Sequence, residues 1–510
     1  MVGNCEVYDP PTGSGYYMLT PPEKPEPQIN GPAVFGVRPG SPFLFRIPAT
    51  GERPMTFSAS GLPAGLRIDP QTGVIFGQIV SPDYREYDVT FYARNLLGQA
   101  AKNFTINVGE TICLTPPMGW NSWNCWGRAV TQDRVLASAR AMVEKGLVHY
   151  GWTYINIDDA WQGKRGGPYN AIQPDPDRFP DMKDLCDEVH ALGLKVGIYS
   201  SPWVTTYAGF VGGSSDDPDG RWSFDENAGE KMNKRLFLRT ARYSFATNDA
   251  AQWAEWGIDY LKYDWNPNDR PEVQCMAEAL QNCGRDIVYS LSNSGMLLNA
   301  EFYQQWANCW RTTQDLKDRW SEPGSQVNLR QVWITHQAWM EAGVRGIPGH
   351  FPDADMLVVG DVVEHNDREK PRPSRLTADE QYTHISLWAL WANPLLIGCP
   401  IETMDEFTLK LLTNREVLAV NQDEKAESGR PVYSEQGIEI IVKDMADGSR
   451  AVGLFNVNED PRVVTLEWGL LGIDGQKKVR DLWRQKDVGM FSDSFSARVP
   501  SHGVVLIRLN

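Results

Sequence analysis

Tyr260-Leu261-Lys262-Tyr263-Asp264-Trp265 reads as a short strand of apolar and aromatic residues that carries one lysine and one aspartate. Side chains alternate along a strand, so Tyr260, Lys262 and Asp264 share a face. Two charges on a buried face are costly unless they serve each other or a ligand. The Lys262 ammonium would keep Asp264 ionised by charge attraction, and an ionised carboxylate can act as a nucleophile. A structural ion pair at a strand end is the other reading of the same stretch.

This stretch is one of a series. From Leu114 onward, β-prone runs alternate with helical patterns: Met118–Trp123, Tyr154–Asp159, Lys195–Ser200, Tyr260–Trp265, Ile287–Ser292, Asn308–Thr313, a run near Met356, and Leu395–Cys399. Amphipathic patterns predict helices between several of them, for example over Thr131–Lys145 and Met182–Leu192. Eight strands alternating with helices over about 290 residues have the size and rhythm of a (β/α)8 TIM barrel. Functional groups of that fold gather at the C-terminal ends of the strands, and the polar residues singled out below all fall at such ends.

The flanks read differently. Residues 28–110 form short β-prone runs punctuated by Gly and Pro, such as Pro42–Ile47 and Tyr87–Ala93, which predicts a small β-sandwich. The segments Gly61–Asp69 and Thr72–Gly77 resemble bacterial immunoglobulin-like (Ig-like) modules found beside secreted sugar hydrolases, here read as a spacer without a ligand. Helical periodicity stops near Asn414, and β-prone runs at Ile438–Val442, Ala451–Phe455 and Gly503–Ile507 predict a C-terminal antiparallel β-domain capping the barrel. The expected division is an extension at 1–27, the Ig-like module at 28–110, the barrel at 111–413 and the β-domain at 414–510.

Composition narrows the partners. With 22% charged residues and a net charge of −16, nothing neutralises phosphates, so no nucleic acid is expected. No apolar run approaches the ~20 residues of a membrane span. Met1 to Pro27 is polar and proline-rich, without the charged start and apolar core of a signal peptide. The reading leans to a secreted or periplasmic protein whose leader has been removed, over a cytoplasmic one. Eight cysteines show no C-x-x-C pair, and the histidines lie far apart, so no metal is expected. A serine-hydrolase elbow, a Walker loop and a dinucleotide glycine loop are all missing, and no cofactor is expected. Nineteen tryptophans fill cores, and an indole face also stacks on the C–H face of a sugar ring.

Three further groups carry chemistry. Asp158 and Asp159 end the second strand; their repulsion needs an offset, for which sugar hydroxyls are favoured over a calcium ion. Trp310-Arg311-Thr312-Thr313-Gln314-Asp315 ends the sixth strand, with a cationic fork at Arg311 and a second carboxylate at Asp315. Asp264 and Asp315 would make the nucleophile and acid/base of a retaining glycosidase, whose carboxyls stand ~5–5.5 Å apart. The seventh strand adds Asp353-Ala354-Asp355-Met356.

From about Leu114 to the C-terminus the chain resembles glycoside hydrolase family 27, the α-galactosidases and α-N-acetylgalactosaminidases. The resemblance rests on Pro116–Trp123, Ile157–Trp161, Gly193–Tyr199, Tyr260–Asp264, Trp310–Asp315, Asp355–Gly360, Asn421–Asp423, Val479–Trp483 and Val499–Val504, in the family's order. It implies a retaining exo-α-galactosidase acting on terminal α-linked galactose of oligosaccharides or glycoconjugates, without metal or cofactor. By the resemblance Asp264 is the nucleophile and Asp315 the acid/base. Asp158 and Asp159 would bind the axial 4-hydroxyl and the 6-hydroxyl, Lys262 the 3- and 4-hydroxyls, and Arg311 would lie near position 2. Trp120, Tyr199, Asp355 and Met356 would wall the pocket. Lys262 and Arg311 are expected to hold Asp264 ionised, and burial to help keep Asp315 protonated.

The chain departs from the family in three places. Cysteines found in many eukaryotic members are replaced by Ala160, Tyr207 and Asn266. After the fifth strand, Ser292 stands where many α-galactosidases have a glutamate for the 2-hydroxyl, and Gly295 stands at a nearby bulky position. Small residues at both places suit N-acetylgalactosamine, unless a side chain such as Asn293 fills the space. The segment from Gly209 to about Thr247, with Trp222 and Phe224, is long; it would wall the leaving-group subsite or serve a homo-oligomer contact. A β-L-arabinopyranosidase and a non-catalytic sugar-binding protein are the lesser alternatives.

Overall fold

The computed structural model describes residues 7–13, 17–81, 83–221, 237–325, 327–363 and 370–510. Its centre is an eight-stranded parallel sheet. The strands are Met118–Asn121, Tyr154–Asn156, Lys195–Ser200, Tyr260–Asp264, Val288–Ser292, Cys309–Arg311, Phe351–Asp353 and Leu395–Ile397. They pair in chain order, with the eighth against the first. The seventh strand stops at Asp353, and the ring closes through one bridge, where Leu357 N donates to Leu396 O at 2.8 Å. Thus the strand expected near Met356 lies earlier, and Met356 follows a kink at Asp355, whose φ is 98°.

Helices cover the outside, which is why the strands read as runs buried on both faces. Gln132–Glu144 and Met182–Ala191 follow the first two strands, within one residue of the expected bounds. Their starts are set by Thr131 and Asp181, whose side chains accept the N–H groups of Arg134 and Asp184. Leu329–Glu341 begins at a capping Asn328, and Ala378–Leu390 at a Thr377–Glu380 capping box. Helical structure continues past position 414: Arg415–Asn421 is a helix, because Asn414 caps it and Val417, Leu418 and Val420 pack into the barrel core.

The C-terminal layer starts at Arg430 and forms a six-stranded antiparallel sheet beside a two-stranded one. Alternation along Ile438–Asp444 shows how it caps the barrel. Ile440 and Val442 face the core of the layer itself, while Ile441 joins the barrel core. The segment ahead of the Ig-like module is tied down too: Tyr8 pairs with Ala497, and Leu19 N donates to the Tyr382 hydroxyl at 3.0 Å.

The Ig-like module packs sheets of four and three strands around Val37, Phe43, Phe57, Ile75, Phe91 and Phe104. It is seated on the barrel rather than held away from it. Arg38 Nε and the Ser41 hydroxyl donate to Asp286 at 2.7 and 2.9 Å, and Arg46 donates to the Leu192 carbonyl at 2.8 Å. Lys195 Nζ lies 4.5 Å from the Phe35 ring centroid. Each barrel partner lies at or just before the start of a strand, so the module covers the N-terminal end of the barrel.

Candidate active site

At the opposite end, the strand termini surround a pocket of about 200 Å³. Its wall is made by Trp123, Asn124, Asp158, Asp159, Tyr199, Tyr207, Lys262, Asp264, Asn293, Asp315, Asp355 and Met356. Six barrel strands thereby deliver carboxylates or their partners to one small volume. Non-glycine residues with left-handed backbone follow the second, fifth and seventh strands: Ala160 at φ 86°, Asn293 at 61° and Asp355 at 98°. Such turns re-aim side chains as a strand ends, and strain of this kind concentrates at functional sites.

The floor is an ion pair. Lys262 Nζ donates to Asp158 Oδ2 at 2.8 Å, and Asn121 Nδ2 donates to the same oxygen at 2.8 Å. Burial opposes the Lys262 charge, but the carboxylates of Asp158, Asp264 and Asp315 outweigh it and raise the lysine pKa. Asp159 is held by the backbone N–H groups of Ala208 at 2.9 Å and Ala160 at 2.8 Å. Burial still pushes its carboxyl up to about 7, with Asp158 repulsion adding to the rise. The protein's own donors therefore take up the repulsion between the two aspartates. No group of His, Cys, Asp and Glu suited to a metal ion is found among the described residues.

Asp264 ends the fourth strand, 7% exposed. Its Oδ2 accepts the Tyr199 hydroxyl at 2.8 Å, and its Oδ1 accepts Asn293 Nδ2. Burial raises its pKa to about 6; Lys262 pulls it down and Asp315 pushes it up. The expectation that Lys262 and Arg311 hold Asp264 ionised is corrected in two ways. Desolvation outweighs the lysine, and the Arg311 guanidinium is committed elsewhere, to Asp355 Oδ1 at 2.7 Å and Asp315 Oδ1 at 3.4 Å. Asp315 stands at the rim with 47% of its side chain exposed, rather than buried as expected.

Three sequence-predicted site residues do not border the pocket. Trp120 is fully buried and donates to the Cys399 carbonyl at 3.0 Å, because the first strand is still inside the barrel at that residue. Ser292 is buried in the fifth strand beside Asp264, with its carbonyl bonded by Asn268 at 3.1 Å. Arg311, 3% exposed, sits behind Asp315 and Asp355, to which its guanidinium is bonded. Conversely, Trp123, Asn124, Tyr207 and Asn293 border the pocket without having been assigned to it. Trp123 ends the motif Pro116–Trp123 and Asn293 is a side chain able to fill the space at position 2; nothing in the sequence marks Asn124.

The profile described as Alpha galactosidase A matches residues 115–221 and 238–423, more than half of the chain. A probable alpha-galactosidase of Dictyostelium discoideum is 34% identical over 419 residues, 79% of this chain and 95% of that protein. The chain belongs to the alpha-galactosidase A family. Its last part matches the alpha-galactosidase C-terminal beta sandwich domain over 435–509, and its first part matches an Ig domain over 26–109. A candidate alpha-galactosidase structure from Bacteroides fragilis covers 96% of this chain and 98% of its own, at 32% identity and a TM-score of 0.83. A β-L-arabinopyranosidase structure from Geobacillus stearothermophilus also matches, at 30% identity and a TM-score of 0.64 over 78% of this chain and 96% of its own.

Within the alpha-galactosidase A family fold, the residues just ahead of the long segment contribute to the site: Ala208 N donates to Asp159, and Tyr207, where many eukaryotic members have a cysteine, borders the pocket. Trp222 and Phe224 lie outside the described residues. No helix among the described residues is long and apolar enough to cross a membrane.

Proposed function

We propose that this protein is a retaining, exo-acting α-galactosidase that releases terminal α-linked galactose from oligosaccharides or glycoconjugates. The observation that carries it is the meeting of Asp264 and Asp315 on one small pocket floored by Asp158, Asp159 and Lys262. Asp264 attacks the anomeric carbon as the bond to the leaving oxygen breaks, and Asp315 gives that oxygen a proton. Asp315 then takes a proton from water, which attacks the same carbon and frees Asp264. Its half-exposed place at the rim suits a group that must meet both the departing alcohol and water. The buried floor suits the fixed hydroxyls of a terminal sugar, with Asp158 and Asp159 as acceptors and Lys262 as donor.

Galactose is favoured over N-acetylgalactosamine by the loop after the fifth strand. A Cβ on Gly295 would come within 3.0 Å of the Arg311 carbonyl and the Tyr303 ring, and Gly295 N donates to Arg311 O at 2.7 Å. The glycine serves this close backbone approach and does not open a niche for an acetamido group. Asn293 occupies the space beside Asp264.

Hydrolysis of 4-nitrophenyl α-galactoside, α-N-acetylgalactosaminide and β-L-arabinopyranoside by the purified protein tests the reading. The galactoside is expected to lead by tenfold or more in kcat/KM. A lead for either other sugar reassigns the substrate, and no turnover on any of them leaves a sugar-binding protein.

The pH profile follows from Asp264. Its carboxyl must be ionised to attack, and its pKa is raised to about 6. As pH falls through that value the inactive, protonated form takes over. Log kcat/KM is expected to bend near pH 6 and to drop by one per pH unit below it. A profile flat down to pH 4 would show that another group limits the reaction.

A further inference from the structure

The linker from the Ig-like module to the barrel runs from the end of one strand at Val108 to the start of the next at Met118. It threads tightly between them: a Cβ on Gly36 of the module would collide with the Thr111 carbonyl, and one on Gly349 of the barrel with the Thr111 side chain. Cys113 lies midway along it with a left-handed backbone at φ 56°, a conformation that a cysteine seldom adopts. Its side chain packs against two small apolar clusters under the barrel. One is Ile112 with Tyr260 and Val288, and the other is Cys309 with Phe351, Ala392 and Ala426. Cys309 opens the sixth strand and is 0% exposed. Its thiol is hydrogen-bonded to that of Cys113, and burial and this bond both raise its pKa. By contrast Cys275 and Cys283, the closest pair in sequence, turn to separate partners: the Ser244 hydroxyl for one, the Leu280 and Arg285 carbonyls for the other.

We propose that Cys113 and Cys309 are a disulfide site, closed by exchange with a small disulfide, that fastens the linker and the module it carries to the sixth strand. Exposure sets the order of events. Cys113 is part-exposed and borders two cavities between module and barrel, of about 70 and 40 Å³, whereas Cys309 is reached through Cys113 alone. The Cys113 thiolate attacks one sulfur of the disulfide RSSR, forming a mixed disulfide and expelling RS⁻. Cys309 then gives its proton to solvent and attacks the Cys113 sulfur, so that the bond between the two cysteines forms and the second RS⁻ leaves. The two thiols lose two electrons in all, and RSSR gains them on becoming two RSH, which take up the two protons. The closed loop spans about 200 residues, so the bond constrains the unfolded chain strongly. Such a bond persists where the surroundings are oxidising. The proposal does not depend on the sugar that the enzyme cleaves.

The test uses the full chain, purified under reducing conditions and then incubated with 2-hydroxyethyl disulfide. The product is alkylated in denaturant, digested and mapped by mass spectrometry. Wild type is expected to yield the Cys113 and Cys309 peptides joined, two hydrogens lighter than the separate thiols. Cys309→Ala should stop at the mixed disulfide on Cys113, and Cys113→Ala should leave Cys309 as a thiol. Oxidised wild type should melt about 5 °C above the reduced protein, a gain absent from Cys113→Ala. Recovery of both cysteines as alkylated thiols, or a bond from either to a different cysteine, overturns the site. A joined pair with an unchanged Tm overturns the fastening role.

Discussion

Asp264→Asn is expected to remove hydrolysis of α-galactosides, with a loss on the order of 10⁴ or more in kcat, in a protein that still folds. An amide cannot form the glycosyl ester, and no other carboxylate on the pocket shares Asp264's place at the end of the fourth strand with donors on both oxygens. The same variant carries a thermodynamic signature. Folding raises the Asp264 pKa to about 6 from an ordinary 3.8. Between those values the folded protein holds a proton that the unfolded chain does not, so stability falls as pH rises through about 6. Asparagine has no charge to keep out of water. The difference in Tm between Asp264→Asn and wild type should therefore shift in the variant's favour between pH 5 and pH 8. Near-normal turnover would remove Asp264 from its assigned role. A Tm difference independent of pH would mean that burial does not tax its charge.

The largest loss of stability is expected from Arg311→Met. Arg311 and Asp355 are each 3% exposed and meet at 2.7 Å. Without the guanidinium, Asp355 keeps only the backbone N–H groups of Leu316, at 2.6 Å, and Met356 for a carboxylate shut away from water. Stranding a buried charge costs about 3–5 kcal/mol. Asp353 makes matters worse, because burial already raises its pKa to about 6 and Arg311 is the strongest of the groups that lower it. Asp315 also loses its bond to Arg311, so turnover should fall together with stability. Denaturant unfolding of Arg311→Met, Asp355→Leu and the double variant would separate these effects. The double variant should recover much of the loss in stability but none of the activity. A single-variant cost below about 1 kcal/mol would show that water reaches Asp355 and the pair is not buried in the sense used here.

The barrel was legible because its strands are buried on both faces and its helices begin at capping residues. Lys195–Ser200 was read to the residue, and the helix before it nearly so. Asp158, Asp159, Lys262, Asp264, Asp315, Asp355 and Met356 follow from one rule, that function gathers where parallel strands end, and the family resemblance adds Tyr199; all of them border the same pocket. The misplacements share a cause. Strand termini set which face a side chain takes, and sequence blurs them: the first strand ends at Asn121, and with it Trp120 stays in the interior. A left-handed residue such as Asn293 re-aims a side chain with no periodic signature at all. Charge pairing was read along the strand, from Lys262 to Asp264, whereas the lysine reaches across to Asp158. The size of a desolvation penalty has no sequence signal, which is why Asp264 was taken as an easily ionised acid.

The seat of the Ig-like module has a practical corollary. One of its hairpins turns at Leu96 and Leu97, 97% and 53% exposed, while Arg38, Ser41 and Arg46 hold the module against the closed end of the barrel. An enzyme grafted to a bead or an electrode through that hairpin would stand with its catalytic opening toward the bulk liquid, and would present every immobilised copy to incoming sugar in the same orientation.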